Sequence, residues 1–434
     1  MITAHRAARI YGHGADHDGG VLRVSSDGVI LEVSAQAEPG DRLVDHPNAA
    51  LIPGGVNVHN HSFQALLRGL GDDLPFLEWR ARGLYKYGAD LKPDLIYLGA
   101  LLAFGEMLRS GTTTVCDFFY VHDDGLENDR AVLRAADELG IRCVMARTLY
   151  DWDGAPASFR EPIDVAIRRT QDLRDEVASN RLLSVQPAPH SLHGASADMI
   201  CAGAALASDW GSPCHTHLAE ESYQRAEALE QWGVGPAEHL DQLGALNERT
   251  VLVHAIWLDD REIDTVAERG ARVAHCPASN MFLGDGVTPV RRYLERGVTV
   301  GLGTDGGCTN SRHSVYDECR SAVLLQKVDA LDGAAMDAET AFALGTAHGG
   351  RLLGLPVGEL KPGFAADFSV LDLDHMSLLP VHNLAKNIVH SMTERAVQAV
   401  YVQGRERVRQ GRVLGLDHQA LSQELQSLAE RWRR

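Results

Sequence analysis

The stretch Ala50-Leu51-Ile52-Pro53-Gly54-Gly55-Val56-Asn57-Val58-His59-Asn60-His61 decides the fold of this chain. Residues 50–57 form a flat apolar run without the alternation of a half-buried strand, the pattern of a strand in a parallel sheet covered on both faces. Beyond it stand two histidines two residues apart, which an extended chain points to the same side. Working outward, runs of the same kind recur at Thr112 to Asp117, Arg142 to Thr148, Leu182 to Pro187, Pro213 to Leu218, Thr250 to Ile256, Ala271 to His275 and Val298 to Gly303, eight in all. Segments of helical period separate them. Lys92-Pro93-Asp94 opens one, with Pro in the first turn and Leu98, Leu101, Leu102 and Leu108 along a stripe. Asp259-Asp260-Arg261-Glu262 opens another, with acidic residues where the helix dipole favours them. Eight strand–helix alternations predict a closed (β/α)8 TIM barrel over residues 51–359 rather than an open doubly wound sheet, and no GxGxxG turn follows any run.

The flanks read differently. Residues 21–34 form a hairpin pattern about Asp27-Gly28, and residues 367–373 and 397–414 are again strand-like, punctuated by Gly404 and Gly411. Both chain ends are therefore expected to pair into one small β-sandwich domain, residues 1–50 with 360–415, leaving the barrel as an insertion. Residues 416–434 are charged and read as a C-terminal helix.

A chain of 434 residues, 45% hydrophobic and 23% charged, suits a large barrel with a small companion domain. The net charge of -18 argues against nucleic acid or an anionic membrane as partner, since both demand a basic footprint. Seven cysteines without a CxxC pair suggest neither a zinc ribbon nor a redox motif. The N-terminus lacks the apolar core of a signal peptide, and no run approaches the ~18 apolar residues that span a bilayer. The expectation is a cytoplasmic protein whose partner is a small molecule.

Chemistry gathers at the strand ends. His59 and His61 follow the first run, His215 and His217 end the fifth with Glu220 just beyond, His254 ends the sixth, and Asp305 follows the eighth. All lie at carboxyl ends, the face on which barrel enzymes build their sites. A single histidine pair arises easily by chance among 20 histidines, but polar residues at the same end of several strands are hard to explain as packing. Imidazole nitrogens with a carboxylate suit Zn²⁺ or Fe²⁺, and such a cation lowers the pKa of water toward neutrality.

Pro53-Gly54-Gly55-Val56-Asn57-Val58-His59-Asn60-His61, His215-Thr216-His217-Leu218-Ala219-Glu220, His275-Cys276-Pro277-Ala278-Ser279-Asn280 and Gly303-Thr304-Asp305-Gly306 together resemble the amidohydrolase superfamily. They are similar to its cytosine/guanine-deaminase-like branch, which includes deaminases of guanine, methylthioadenosine and S-adenosylhomocysteine, triazine hydrolases and formiminoglutamate deiminase. Gly358 to Asp367 resembles that branch's return to the small domain. The resemblance implies one divalent metal ion held by His59, His61, His217 and Asp305, with Glu220 as the proton-shuttling carboxylate and His254 beside the attacking water. His215 is then left to a structural role. Binuclear members carry a modified lysine on the fourth strand, and Leu182-Leu183-Ser184-Val185-Gln186-Pro187 has none, so a single metal is expected.

The resemblance also implies substrate contacts. Gln64, Arg80 and Tyr120, with Trp79, match positions in formiminoglutamate deiminase, but that pattern breaks at His193, where the deiminase carries arginine, and at Gly306-Gly307, where it carries Ser-His. Leu66-Leu67-Arg68-Gly69, Asp73-Leu74-Pro75 and Glu78-Trp79 look more like the adenosine-type deaminases, and His190 and Arg147 match purine-side contacts there. In that group a glutamate nine residues after the tryptophan contacts ribose. Here the position is Gly88, which favours a free base over a nucleoside. The resulting expectation is a hydrolytic deaminase acting on an amidine-like C–N bond, most plainly in an aminated purine-, pyrimidine- or pterin-like ring, and assembled as a homodimer. The rivals are an N-formimino-L-glutamate iminohydrolase, a triazine-type chlorohydrolase and a metal-free scaffold.

Overall fold

The barrel strands come from the middle of the chain and the remaining strands from its two ends. In the computed structural model, which describes residues 1–12, 15–89, 91–122 and 125–433, the N-terminal strands are β1 (Thr3–Gly12), β2 (Ala15–Val24), β3 (Ile30–Ser34) and β4 (Arg42–Pro53). Next come β5 (Gly55–His61), β6 (Thr112–Phe119), β7 (Arg142–Leu149), β8 (Leu183–Pro189), β9 (Cys214–Leu218), β10 (Thr250–His254), β11 (Arg272–His275), β12 (Val300–Leu302) and β13 (Asp305–Gly306). The last are β14 (Phe368–Asp372), β15 (Val397–Val402), β16 (Arg405–Arg409) and β17 (Arg412–Val413).

Strands β5 to β13 form two parallel arcs, ordered β13-β5-β6-β7-β8 and β12-β11-β10-β9. The arcs meet at one seam where the His217 N–H donates to the His190 carbonyl at 3.0 Å and Ser191 bridges His217. At the other seam the eighth strand changes partner. β12 pairs with β11, and after Gly303-Thr304 the chain continues as β13, which pairs Asp305 with Asn60 of β5. Gly303 permits that approach, because a Cβ there would stand 2.8–3.0 Å from the backbone and Cβ of His59. Both faces of the strands are covered, and the flat apolar runs are buried throughout β5, β6 and β7.

The helices between them follow the sequence cues. Pro93–Ser110 has its proline in the first turn. Asp260–Glu268 begins on a capping box, in which the Asp259 carboxylate accepts from the Glu262 N–H at 3.0 Å and Glu262 accepts from the Asp259 N–H at 3.2 Å. The terminal helix, His418–Trp432, is capped by Asp417 and buries Leu421 and Leu428.

One boundary differs from the expectation. Ala50 to Pro53 belong to β4, paired with β14 (Phe368 opposite Pro53), and the first barrel strand starts at Gly55. The apolar run is continuous because it serves two buried strands in succession.

The chain ends share one sheet, ordered β17-β16-β15-β14-β4-β1-β2-β3. It bends back over its own core of Ile10, Leu22, Ile30, Leu51 and Phe368. The Ile30 N–H donates to the Phe364 carbonyl and the Ala366 N–H to that of Gly28, both at 2.8 Å, tying the β3 end to the approach to β14. Gly28 has φ 74°, and any Cβ there would collide with the Gln403 carbonyl. Arg142, at the start of β7, joins this sheet to the amino end of the barrel through Asp367 at 2.8 Å and Gln403 at 2.7 Å. The carboxyl ends are thereby left to the site.

Candidate active site and metal centre

Four imidazoles and two carboxylates converge where the strands end. His59 Nε2 and His61 Nε2 lie 3.5 and 3.2 Å from Asp305 Oδ1, and His217 Nε2 lies 3.3 Å from His59 Nε2. His254 Nε2 is 3.3 Å from Glu220 Oε1 and 4.0 Å from Asp305 Oδ2. The opposite edges of the rings are held from behind. His61 Nδ1 donates to the Phe118 carbonyl at 2.6 Å, His217 Nδ1 to that of His190 at 2.9 Å, and His254 Nδ1 to Asn280 Oδ1 at 3.0 Å. Ser279 donates to Asp305 Oδ2 at 2.6 Å and leaves Oδ1 toward the histidines.

That arrangement fixes tautomers. A ring whose Nδ1 donates to a carbonyl presents a lone pair at Nε2. The lone pair of His61 therefore meets the Asp305 carboxylate and that of His217 meets His59 Nε2 in one buried space, an arrangement unfavourable unless positive charge sits among them. Burial holds His59 down to about 3 and His217 well below its usual value. Burial also opposes charge on His61, but its bond to Asp305 carries it upward, while Asp305 stays well below the carboxylate range against its burial because His59 and His61 bond to it. A divalent cation at that point satisfies the same demand and displaces the proton. The residues present fit a metal ion: His59, His61 and Asp305 form one close donor group, and His59, His217 and His254 another.

Backbone strain marks the same spots. Ala219, His254 and Asp305 occupy the left-handed region, with φ of 48°, 68° and 58°. Each such non-glycine residue costs about 1–3 kcal/mol, which the surrounding packing must offset. The turns lie where the chain leaves a strand and aims Glu220, His254 or Asp305 inward. Glu220 is pushed up to about 6 by burial, with His254 pulling the other way.

A cavity of about 360 Å³ opens above this cluster. Gln64, Trp79, Arg80, Tyr120, His190 and His193 line it together with His61, His217, Glu220, His254 and Asp305, and His59 lies beneath at the cluster. Gln64 donates to the Tyr120 hydroxyl at 2.7 Å, and Trp79 Nε1 donates to the Cys308 carbonyl at 3.1 Å. His190 stacks on Tyr150 with centroids 4.2 Å apart, and burial keeps it neutral, down to about 3. The Arg80 guanidinium lies over the rings of Tyr85 and Trp152 at 5.4 and 5.5 Å, and it has no ion-pair partner among the described residues.

Arg147 is a correction. It is fully buried on the helix side of β7, bonded to Asp129 at 2.9 Å and Glu161 at 2.8 Å, and it does not line the cavity. Side chains alternate along a strand, and this position faces the helix layer, where a buried guanidinium requires counter-charges. His215, the extra histidine of its pair, turns onto Gln186 at 2.7 Å inside the barrel. Sequence reasoning missed Tyr85, Tyr150, Trp152, Phe159, Tyr223 and Glu227 in the cavity wall. They lie on loops and on helices after the strands, and only the four-residue spacing between Tyr223 and Glu227 could have marked a shared helix face.

A family model described as the amidohydrolase family matches residues 50–407. The chain is 37% identical over 401 residues to the 5'-deoxyadenosine deaminase of Methanothermobacter thermautotrophicus, covering 91% of each. It is 34% identical to a 5-methylthioadenosine/S-adenosylhomocysteine deaminase of Nitratidesulfovibrio vulgaris, covering 96% of this chain and 91% of that one. Among solved structures, an adenosine deaminase from Xanthomonas campestris with bound zinc superposes with a TM-score of 0.92 at 29% identity, over 99% of this chain and 98% of the other. With its barrel, its strand-end histidines and a match over most of its length, the chain belongs to the amidohydrolase family.

Proposed function

We propose that the protein is a metal-dependent hydrolytic deaminase that releases ammonia from an amidine-like carbon of an aminated N-heterocycle. The observation that carries this reading is the convergence of imidazole lone pairs and the Asp305 carboxylate at the cavity floor, with Glu220 and His254 3.3 Å apart beside them. Relatives acting on adenosine analogues support a purine-type ring.

His59, His61, His217 and Asp305 would hold one ion, Zn²⁺ or else Fe²⁺. Such an ion supplies Lewis-acid activation that makes water a competent nucleophile near neutral pH. Asp305, steadied by Ser279 and neighboured by His254, accepts the proton of the attacking water. Glu220, whose raised pKa lets it carry a proton, delivers it to the ring nitrogen, Asp305 passes the water proton to the departing amine, and the hydroxyl proton of the collapsing adduct returns to Glu220. Tyr150 with His190, and Trp79 at the side, form flat walls for a planar ring. β8 contains no lysine to bridge a second ion, so elemental analysis should return near one equivalent per chain. Two equivalents, both required for turnover, would overturn this stoichiometry.

Arg80, without an ion-pair partner among the described residues, favours one second reading, N-formimino-L-glutamate iminohydrolysis. His193 in place of an arginine counts against it. Ammonia release from aminated oxo-heterocycles and adenosine analogues, set against release from N-formimino-L-glutamate, decides between them. Homodimeric assembly and a reducing, cytoplasmic setting belong to the same proposal. Six of seven cysteines are buried and all are free, which suits that setting. Sedimentation of the purified protein tests the dimer.

A further inference from the structure

The outer half of the cavity holds a carboxylate that the deamination step does not use. Three carboxylates line the cavity, and Glu220 and Asp305 belong to its floor, leaving Glu227. It stands on the helix Ser222–Trp232, where Tyr223, Gln224 and Glu227, three and four residues apart, present one face to the cavity. Gln224 is spent, because its side-chain oxygen accepts from the Glu220 N–H at 2.9 Å. Glu227 is not. Its side chain is 53% exposed, and its nearest ionisable neighbour, His193 Nδ1, lies at 3.6 Å, beyond hydrogen-bonding distance. The His193 backbone N–H is held by Ser191 Oγ at 3.3 Å, and burial lowers the pKa of the ring, so it offers one donor and one acceptor. Arg80 also lines the cavity and balances the charge of Glu227. The mouth as a whole therefore suits a neutral group rich in hydroxyls.

We infer that Glu227 and His193 form a specificity edge that recognises the hydroxyls of a sugar-like substituent on the ring. The inference rests on the deamination reading and extends it from a ring to a nucleoside. It reverses the expectation drawn from Gly88. That residue is buried, with Leu84, Phe159 and Phe63 atoms 3.5–3.6 Å from where its Cβ would be, and the acceptor for the hydroxyls comes instead from the helix Ser222–Trp232.

The test uses the full-length, zinc-loaded protein with adenosine and 2',3'-dideoxyadenosine. Ammonia release gives kcat/KM for each, and calorimetry gives each affinity in a Glu220→Gln background. Wild type should prefer adenosine, and Glu227→Gln should shrink the adenosine-to-dideoxyadenosine ratio about tenfold, through KM, because a hydrogen bond to a charged acceptor is lost. A ratio near one in wild type, or a ratio unchanged by the substitution, overturns the inference. Hydroxyl-dependent binding without ammonia release retains the edge and overturns the reaction. With S-adenosylhomocysteine as a third substrate, a loss on Glu227→Gln confined to that substrate would make Glu227 an ammonium site and also overturn the inference.

Discussion

Two buried charge clusters lie on the barrel, and they are resolved in opposite ways. On the helix side of β7, Arg147 is enclosed by Asp129, Glu161 and Thr170, and each guanidinium nitrogen has an acceptor. At the strand ends, His59, His61, His217 and Asp305 gather, and no lysine or arginine among the described residues is paired with them. The first cluster is closed by its own counter-charges and serves stability. The second is left open, and reactivity belongs there. Burial and charge alone do not separate the two; the count of donors against acceptors does.

The largest effect should come from breaking the open cluster. His217→Ala should lose both metal and activity, read by elemental analysis and ammonia release, because a three-ligand remnant binds its ion far more weakly. Retained metal at full stoichiometry would remove His217 from the ligand set. Glu220→Gln comes next: metal content should hold while kcat falls roughly 10²–10⁴-fold, the usual share of a general acid–base group. Loss of metal would recast Glu220 as a ligand.

The closed cluster should respond in stability instead. Arg147→Met leaves buried Asp129 with His122 alone and Glu161 with Arg169 and His122, and should cost about 3–5 kcal/mol in denaturant unfolding, with one metal equivalent kept by whatever folds. The same cluster sets an acid limb. Burial pushes Glu161 up, but His122 and Arg147 outweigh it and bring it down to about 2. A depressed carboxyl contributes stability that is complete above its unfolded pKa of about 4.3 and is lost as pH falls toward the folded value. Wild type should therefore lose stability steeply between those two pH values, and the variant less so. Smallest is Arg80→Met, which should raise KM several-fold for substrates bearing a carboxylate and change little for neutral rings. Equal losses on both would make Arg80 a packing residue.

The contrast also explains what was legible in the chain. His59, His61, Glu220 and Asp305 could be singled out because they stand at or beyond the end of an apolar run, whose carboxyl end fixes the face of the barrel, and His217 and His254 because each is paired in sequence or in chemistry with such a residue near the end of its own run. Arg147, like His217, lies one residue before the end of its run, where direction depends on which residue starts the alternation, and Arg142 to Thr148 carries no mark of that. The first barrel strand was placed too early because Ala50 to Asn57 reads as one run, although Gly54 separates two sheets. Glu227, Trp152 and Phe159 reach the cavity from a helix and from loops whose course is set by packing between distant segments.

The shared terminal sheet has a consequence for how the protein is made. Strand β4 leaves the ribosome near residue 53, yet its partner β14 begins at Phe368, after the whole barrel has been synthesised. Until then one edge of β4 offers unpaired backbone groups to any neighbouring chain, and the apolar face of β1 and β2 lacks Phe368. Contacts this distant in sequence form slowly and invite aggregation while they wait. A nascent chain stalled before residue 368 should depend on a chaperone that shields its first fifty residues, and a chain released after Val402 should not.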